Sequence, residues 1–219
     1  MKRIAIIGAG RFGSTLAESL VRKGAEVVVL ERNPDIVQRM ASVVTRAVTG
    51  DGTDERVLAE AGVADCDTAV VAIGNNMEGS ILATVLLKEL EVPRVVAKAV
   101  TDTHGKVLER VGADLVVYPD RERAQRLARS LLADSVLDYF EISAGFSVVE
   151  MEAPVSFTGK TLIESEIRRK YGITVLAIKR HGDSAQSLIA PSGEDLIQPG
   201  DTLILFGPDK KLDALSRPE

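Results

Sequence analysis

The sequence predicts an α/β protein: a Rossmann-type doubly wound parallel sheet followed by a small α+β domain. Three observations carry this expectation. An apolar run, Ile4-Ala-Ile-Ile7, leads straight into a G-x-G-x-x-G turn at Gly8, Gly10 and Gly13. Six short runs, mostly rich in Val and Ile, then alternate with helical patterns as far as about Asp138. Beyond Tyr139 the alternation stops, and short β-rich runs are punctuated by Pro154, Gly172, Gly182, Pro191, Gly193, Pro199 and Gly200.

In chain order, strands are expected near 3–7, 26–31, 44–48, 67–73, 94–98 and 114–118, and helices near 11–23, 34–42, 54–61, 77–90, 103–111 and 121–138. The strand runs lack polar alternation, as strands do when helices cover both faces of a parallel sheet. In the first helix, Phe12, Leu16 and Leu20 fall at i, i+4 and i+8 on one face. The 77–90 helix (Met77, Ile81, Leu82, Val85, Leu86, Leu87, Leu90) and the 121–138 helix (Ala124, Leu127, Ala128, Leu131, Leu132, Val136) are apolar beyond a single stripe. That pattern fits burial in the monomer or a multimer interface. The later strands are expected near 146–152, 173–180, 186–190 and 202–207, giving domains at 1–138 and 139–219. Ser143–Gly145, at the junction, is too short for a loose linker.

The 219 residues, 45% hydrophobic and 27% charged, suffice for one medium core and one small one. A formal charge of -5 supplies no basic field for a phosphate backbone, so no nucleic-acid partner is expected. One cysteine, Cys66, excludes an intramolecular disulfide, and no signal peptide is read; a reducing cytoplasm is expected. No apolar run approaches the roughly 20 residues of a membrane span.

The glycine turn points to a phosphate-bearing nucleotide. Gly8 makes the tight turn, Gly10 leaves the backbone bare for a pyrophosphate, and Gly13 lets helix and strand pack closely, with the helix N-terminus facing the phosphates. Arg11 and Phe12 lie inside the turn. Some 20 residues on, Glu26-Val-Val-Val-Leu30 ends in Glu31, placed to accept ribose hydroxyls and to repel a 2′-phosphate, and Arg32 follows it. Thr49-Gly-Asp-Gly-Thr53 brings Asp51, Gly52 and Thr53 to the adenosine side, or forms a turn in which Thr53 or Asp54 caps the next helix. Ile73, Gly74 and Asn75 follow the fourth strand at the mouth of the same crevice.

Reactive groups are scarce in the sequence. His104 and His181 have no partnering motif and are expected at the surface. There is no C-x-x-C or H-E-x-x-H spacing, no G-x-S-x-G elbow and no G-K-[ST] element. A nucleotide site without an acid/base group suggests sensing rather than catalysis.

Taken together, residues 6–13, Thr49-Gly-Asp-Gly-Thr-Asp54, Val71-Ala-Ile-Gly-Asn75, Val111-Gly-Ala-Asp114, Arg168-Arg-Lys-Tyr-Gly172 and Val175-Leu-Ala-Ile-Lys179 resemble the RCK (KTN) proteins. The two-domain length resembles the KtrA-like members of the TrkA family rather than layouts of two tandem copies. The resemblance implies a regulatory subunit, not an enzyme, that binds ATP or ADP, or NAD(H), in an RCK_N domain. It further implies a homodimer that assembles into an octameric ring and docks on a KtrB/TrkH-like membrane potassium transporter subunit, at the inner face of the cell membrane. Arg11 then matches an arginine that reaches the terminal phosphate across the dimer, and Asp120 falls where a glutamate helps to bind a divalent cation (Mg or Ca). In the RCK_C domain, Leu162, Ile163 and Arg168 match the apolar and arginine positions of a cyclic di-AMP site. Two other readings stand beside this one: a small NAD-dependent oxidoreductase, and a regulator of another ion, since the membrane partner selects the ion.

Overall fold

The computed structural model describes residues 1–132, 136–181 and 187–215. The chain forms two compact units, Met1–Asp120 and Arg121–Glu219.

The first unit runs β1 (Arg3–Ile7), α1 (Arg11–Arg22), β2 (Glu26–Glu31), α2 (Pro34–Met40), β3 (Arg46–Thr49), α3 (Glu55–Glu60), β4 (Thr68–Val71), α4 (Met77–Glu89), β5 (Val95–Lys98), α5 (Asp102–Arg110) and β6 (Leu115–Val117). Helix α6 (Pro119–Leu132) begins in it and continues into the second unit. The strands pair in parallel in the order β3-β2-β1-β4-β5-β6. The strand-to-face period of two splits the core into two layers. Ala5, Ile7, Val28 and Leu30 pack with Leu58, Leu87 and Leu108 of α3, α4 and α5, whereas Ile6, Val27 and Val29 pack with Ala17 and Met40 of α1 and α2. The order reverses between β1 and β4, so loops leaving their C-terminal ends diverge and open a crevice there. β4 ends at Val71, two residues before the expected Ile73, with the Ala72 N–H still donating to the Ile7 carbonyl at 2.8 Å.

On α4, Ser80, Ala83, Thr84 and Leu87 are buried while Met77 and Leu82 stay exposed. The sheet therefore covers one face and leaves apolar side chains on another. Cys66 is buried, and burial pushes its thiol pKa up, as an inert core thiol requires. His104 departs from expectation: it is fully buried in the first turn of α5, its Nδ1 accepting from the Val100 N–H at 3.4 Å, and burial lowers its pKa. His181 is exposed, as expected.

The second unit continues with β7 (Val136–Ser143), β8 (Phe146–Glu152), α7 (Leu162–Ser165), α8 (Ile167–Tyr171), β9 (Thr174–Lys179), β10 (Ser187–Ile189), β11 (Thr202–Pro208) and α9 (Asp209–Leu215). Its antiparallel sheet has the order β10-β9-β11-β8-β7. In β8 and β11, inward and outward residues alternate, and Val149, Met151, Leu203 and Leu205 meet Ile167, Ile173 and Ile178 in the core.

Two expectations are corrected by the structure. The helix expected over 121–138 starts at Pro119 and ends at Leu132, and Val136 begins a strand whose register sets Val136 opposite Met151. The i, i+4 spacing of Leu132 and Val136 fits a helix, but Val-Leu-Asp-Tyr-Phe-Glu-Ile-Ser over 136–143 suits an edge strand better. Ser143–Gly145 is no domain junction but part of the β7–β8 hairpin, with Ser143 paired to Phe146 and Gly145 at φ +83. The compact units themselves divide after Asp120. The strand expected over 186–190 is Ser187–Ile189; Gly182 and Gln186 lie outside the described residues.

Candidate nucleotide site

The glycine turn is built from close backbone approaches. Gly8 sits at φ +95, where a side chain is strained, and its N–H donates to the Leu30 carbonyl at 2.8 Å. A Cβ on Gly13 would lie 2.0 Å from the Gly8 carbonyl oxygen, so α1 starts as close to the strand end as only glycine allows. At Gly10 the same test meets nothing within 4 Å, leaving bare backbone open to the crevice. Gly10 is also the N-cap of α1 and offers no side-chain cap, so first-turn N–H groups remain for an anion.

Glu31 braces this turn. One carboxylate oxygen accepts the Ala9 N–H at 2.7 Å and the other the Asn33 N–H at 2.9 Å, tying the glycine turn to the start of α2. Each oxygen keeps about one further lone pair for a ribose hydroxyl.

Around these elements lies a cavity of about 460 Å³, within the range of small-molecule sites. Of the expected residues, Gly8, Gly10, Arg11 and Phe12 from the glycine turn, Glu31 and Arg32 after β2, Gly52 after β3, and Ile73, Gly74 and Asn75 after β4 line it. Gly13, Asp51 and Thr53 do not line it. Asp51 turns instead to Arg32, accepting from its Nη2 at 2.6 Å and from the Thr53 hydroxyl and N–H at 2.7 and 2.9 Å. Asp51 and Thr53 thus hold a planar guanidinium on the cavity wall, a surface suited to a purine face.

Desolvation raises the Asp51 pKa, but the hydrogen bonds from Arg32 and Thr53 and the Arg32 charge outweigh it and leave the carboxyl below its ordinary value. A depressed carboxyl contributes in full above its unfolded pKa and is lost as pH falls through the native one. Adenine-nucleotide affinity should therefore hold through the ordinary carboxylate range, down to about pH 4, and fall only in more acid solution. Asp51→Asn should weaken binding roughly two- to threefold at pH 7, as expected for an exposed pair, and flatten the acid limb. Calorimetry at both ends of that range reads the difference; parallel pH profiles for the two proteins would refute the bracing role.

Two polar wall residues, Asn76 and Lys98, lie outside the expected set. Asn76, the N-cap of α4, accepts the Gly79 N–H at 3.0 Å. Lys98, at the end of β5, places Nζ 5.7 Å from the Phe12 ring centroid and 3.2 Å from the Asp120 carboxylate. The signal was present in Val95-Val-Ala-Lys98, an apolar run that ends on a charge. Asp120, matched by resemblance to a cation ligand, is ion-paired with Lys98, and no three His, Cys, Asp or Glu side chains cluster among the described residues.

In the second unit, Leu162, Ile163 and Arg168 share a separate cavity of about 500 Å³ with Pro191 and Gly193. A capping box between Thr161 and Glu164 fixes the start of α7 and so presents Leu162 and Ile163. Arg169 and Lys170 pair with Glu166, whereas no ion pair holds Arg168 among the described residues.

The model of the TrkA-N domain matches residues 4–119 and that of the TrkA-C domain residues 148–218. The chain belongs to the TrkA family of RCK proteins. It is 41% identical over 206 residues to the Ktr system potassium uptake protein C of Bacillus subtilis (strain 168), covering 94% of this chain and 92% of that one. Identity to the Ktr system potassium uptake protein A of the same strain is 39% over 211 residues, covering 96% and 94%. Among solved structures it is similar to the GsuK channel bound to NAD, with TM-score 0.50 and 26% identity over 98% of this chain and 38% of that chain. It is also similar to GsuK bound to ADP, with TM-score 0.50 and 28% identity over 60% and 34%. The RCK chain thus spans well under half the length of those channel chains. Its TrkA-N match ends beside the first unit's last residue, Asp120, and its TrkA-C match starts within β8.

Proposed function

We propose that this RCK chain is the nucleotide-sensing regulatory subunit of a potassium uptake system, without catalysis of its own. The observation that carries the reading is the cavity at the sheet's switch point, where an uncapped helix N-terminus, bare Gly10 and Glu31 converge. These elements suit phosphates at one end and a ribose at the other. Full-length relatives named for potassium uptake and RCK structures bound to NAD and ADP support it. ADP, ATP and NAD(H) are the ligands proposed.

In this reading the chain is cytoplasmic and acts on a KtrB/TrkH-like membrane subunit; no described helix is long and apolar enough to cross a membrane. Homodimers assemble into a ring, and exposed Met77 and Leu82 on α4 and Leu127 and Leu131 on α6 offer apolar contacts for assembly. The cavity around Leu162, Ile163 and Arg168 takes cyclic di-AMP, with apolar side chains against the adenines and Arg168 on a phosphate. A divalent cation would arrive with the nucleotide phosphates and find Asp120 as its carboxylate. An oxidoreductase would need a proton relay in the pocket; its wall acid, Glu31, holds two backbone amides instead.

Calorimetry on the full chain tests the site. Glu31→Gln should weaken ADP and ATP by similar factors. Arg11→Ala should leave ADP nearly unchanged and weaken ATP about 10- to 100-fold, the worth of one charge-assisted contact of roughly 1.5–3 kcal/mol. Unchanged affinities in both variants would remove the assignment.

A further inference from the structure

We infer that Lys98 and Asp120 form a phosphate-sensitive latch that connects the nucleotide pocket to the root of α6. The inference rests on the adenine-nucleotide reading of the pocket and adds a switch to it.

The two partners sit in unlike surroundings. The Lys98 side chain is 14% exposed and that of Asp120 is 87% exposed. Lys98 ends β5 on the pocket wall, and its ammonium lies over the Phe12 face in the first turn of α1. A Cβ on Gly74 would come within 3.8 Å of the same Nζ, so the ammonium also borders the loop after β4. The charge therefore stands between the two loops that frame the phosphate end, where water is partly excluded and a phosphate oxygen is strongly favoured.

Asp120 loses little on release. It lies in water, and as the second residue of α6 it keeps the favourable field of a helix N-terminus. A phosphate entering the pocket therefore competes for Lys98 against an exposed carboxylate and wins. The consequence appears at the start of α6, where the second compact unit begins at Arg121. Adenosine, lacking a phosphate, leaves the latch closed. Ligand identity is thus converted into the presence or absence of one ion pair, the differential contact that a population shift requires.

The test uses the full chain in EDTA, so that no divalent cation bridges Asp120 to phosphate. ADP and adenosine are titrated into the wild type, Lys98→Met, Asp120→Asn and the double variant. Asp120→Asn should tighten ADP about two- to fivefold, the competition of an exposed pair removed, and leave adenosine unmoved. Lys98→Met should weaken ADP about tenfold or more, with little change for adenosine. In the Lys98→Met background, Asp120→Asn should have no effect on ADP. Hydrogen exchange over the first two turns of α6, which include the first amides bonded within the helix, should rise with ADP in the wild type and be insensitive to ADP in Asp120→Asn. ADP binding with Asp120→Asn neutral or weakening would overturn the latch alone. No ADP binding to the wild type would overturn the site reading and the latch with it.

Discussion

Gly13→Ala should cost the first unit about 3 kcal/mol and abolish nucleotide binding. The methyl group would lie 2.0 Å from the Gly8 carbonyl oxygen and 3.1 Å from its carbon. Both are backbone atoms of a residue whose N–H is tied to the Leu30 carbonyl, so no rotamer change relieves the overlap, and α1 must move away from the strand end. Overpacking of this kind typically costs 1–3 kcal/mol, with a rigid backbone contact at the upper end. A melting point lower by roughly 10 °C follows for a unit of this size. Binding fails for a separate reason: a displaced α1 no longer aims its first-turn N–H groups at the phosphates. Gly10→Ala is the matched comparison, because its Cβ meets nothing within 4 Å. It should fold within about 1 kcal/mol of the wild type and yet bind nucleotide at least tenfold more weakly, through the methyl placed where pyrophosphate must approach. Thermal melts with and without ADP separate the two outcomes. Equal stability of the two variants would show that Gly13 is not a packing glycine.

The second large effect lies in the TrkA-C unit. Asp201 is 1% exposed just before β11, and its Oδ2 accepts from Arg180 Nη1 and from the Gln198 N–H at 2.8 Å. Arg180 also donates to the Leu196 carbonyl at 2.9 Å, so one guanidinium ties the end of β9 to the loop leading into β11. Removing one partner of a buried pair leaves an uncompensated charge, at a cost of about 3–5 kcal/mol. Arg180→Met should therefore destabilise the second unit by that amount in denaturant titrations. Arg180→Met with Asp201→Leu should recover most of the loss, since an apolar pair replaces a buried ion pair at little net cost. A single-variant loss below about 1 kcal/mol would show that water takes the place of the guanidinium.

Much of the fold was legible because its determinants are local. Val27, Val28 and Val29 read as a buried strand from composition alone, and the glycine turn is specified within the ten residues from Ile4 to Gly13. The i, i+4 rule placed α1 through Phe12, Leu16 and Leu20. The same rule failed at Val136, where helical spacing coincides with a strand-forming composition and only pairing with β8 selects the strand. The turn at Gly145 read as a junction for a related reason: a two-residue hairpin loop looks like a linker until its flanking strands are seen to pair.

At the site, the sequence by itself determined the glycines, Glu31 and the loop after β4, because each follows directly from a strand end and a short motif. Tertiary structure decided the rest. Asp51 and Thr53 turn toward Arg32 rather than the cavity, Lys98 reaches across to Phe12 and Asp120, and His104 is buried instead of exposed. These outcomes depend on which loops the parallel sheet sets side by side, and residues in β5 and α1 become neighbours only after β4 is inserted between β1 and β5. Side-chain direction at a strand end is chosen by the partner charge or ring it finds there, and that partner is far away in the chain.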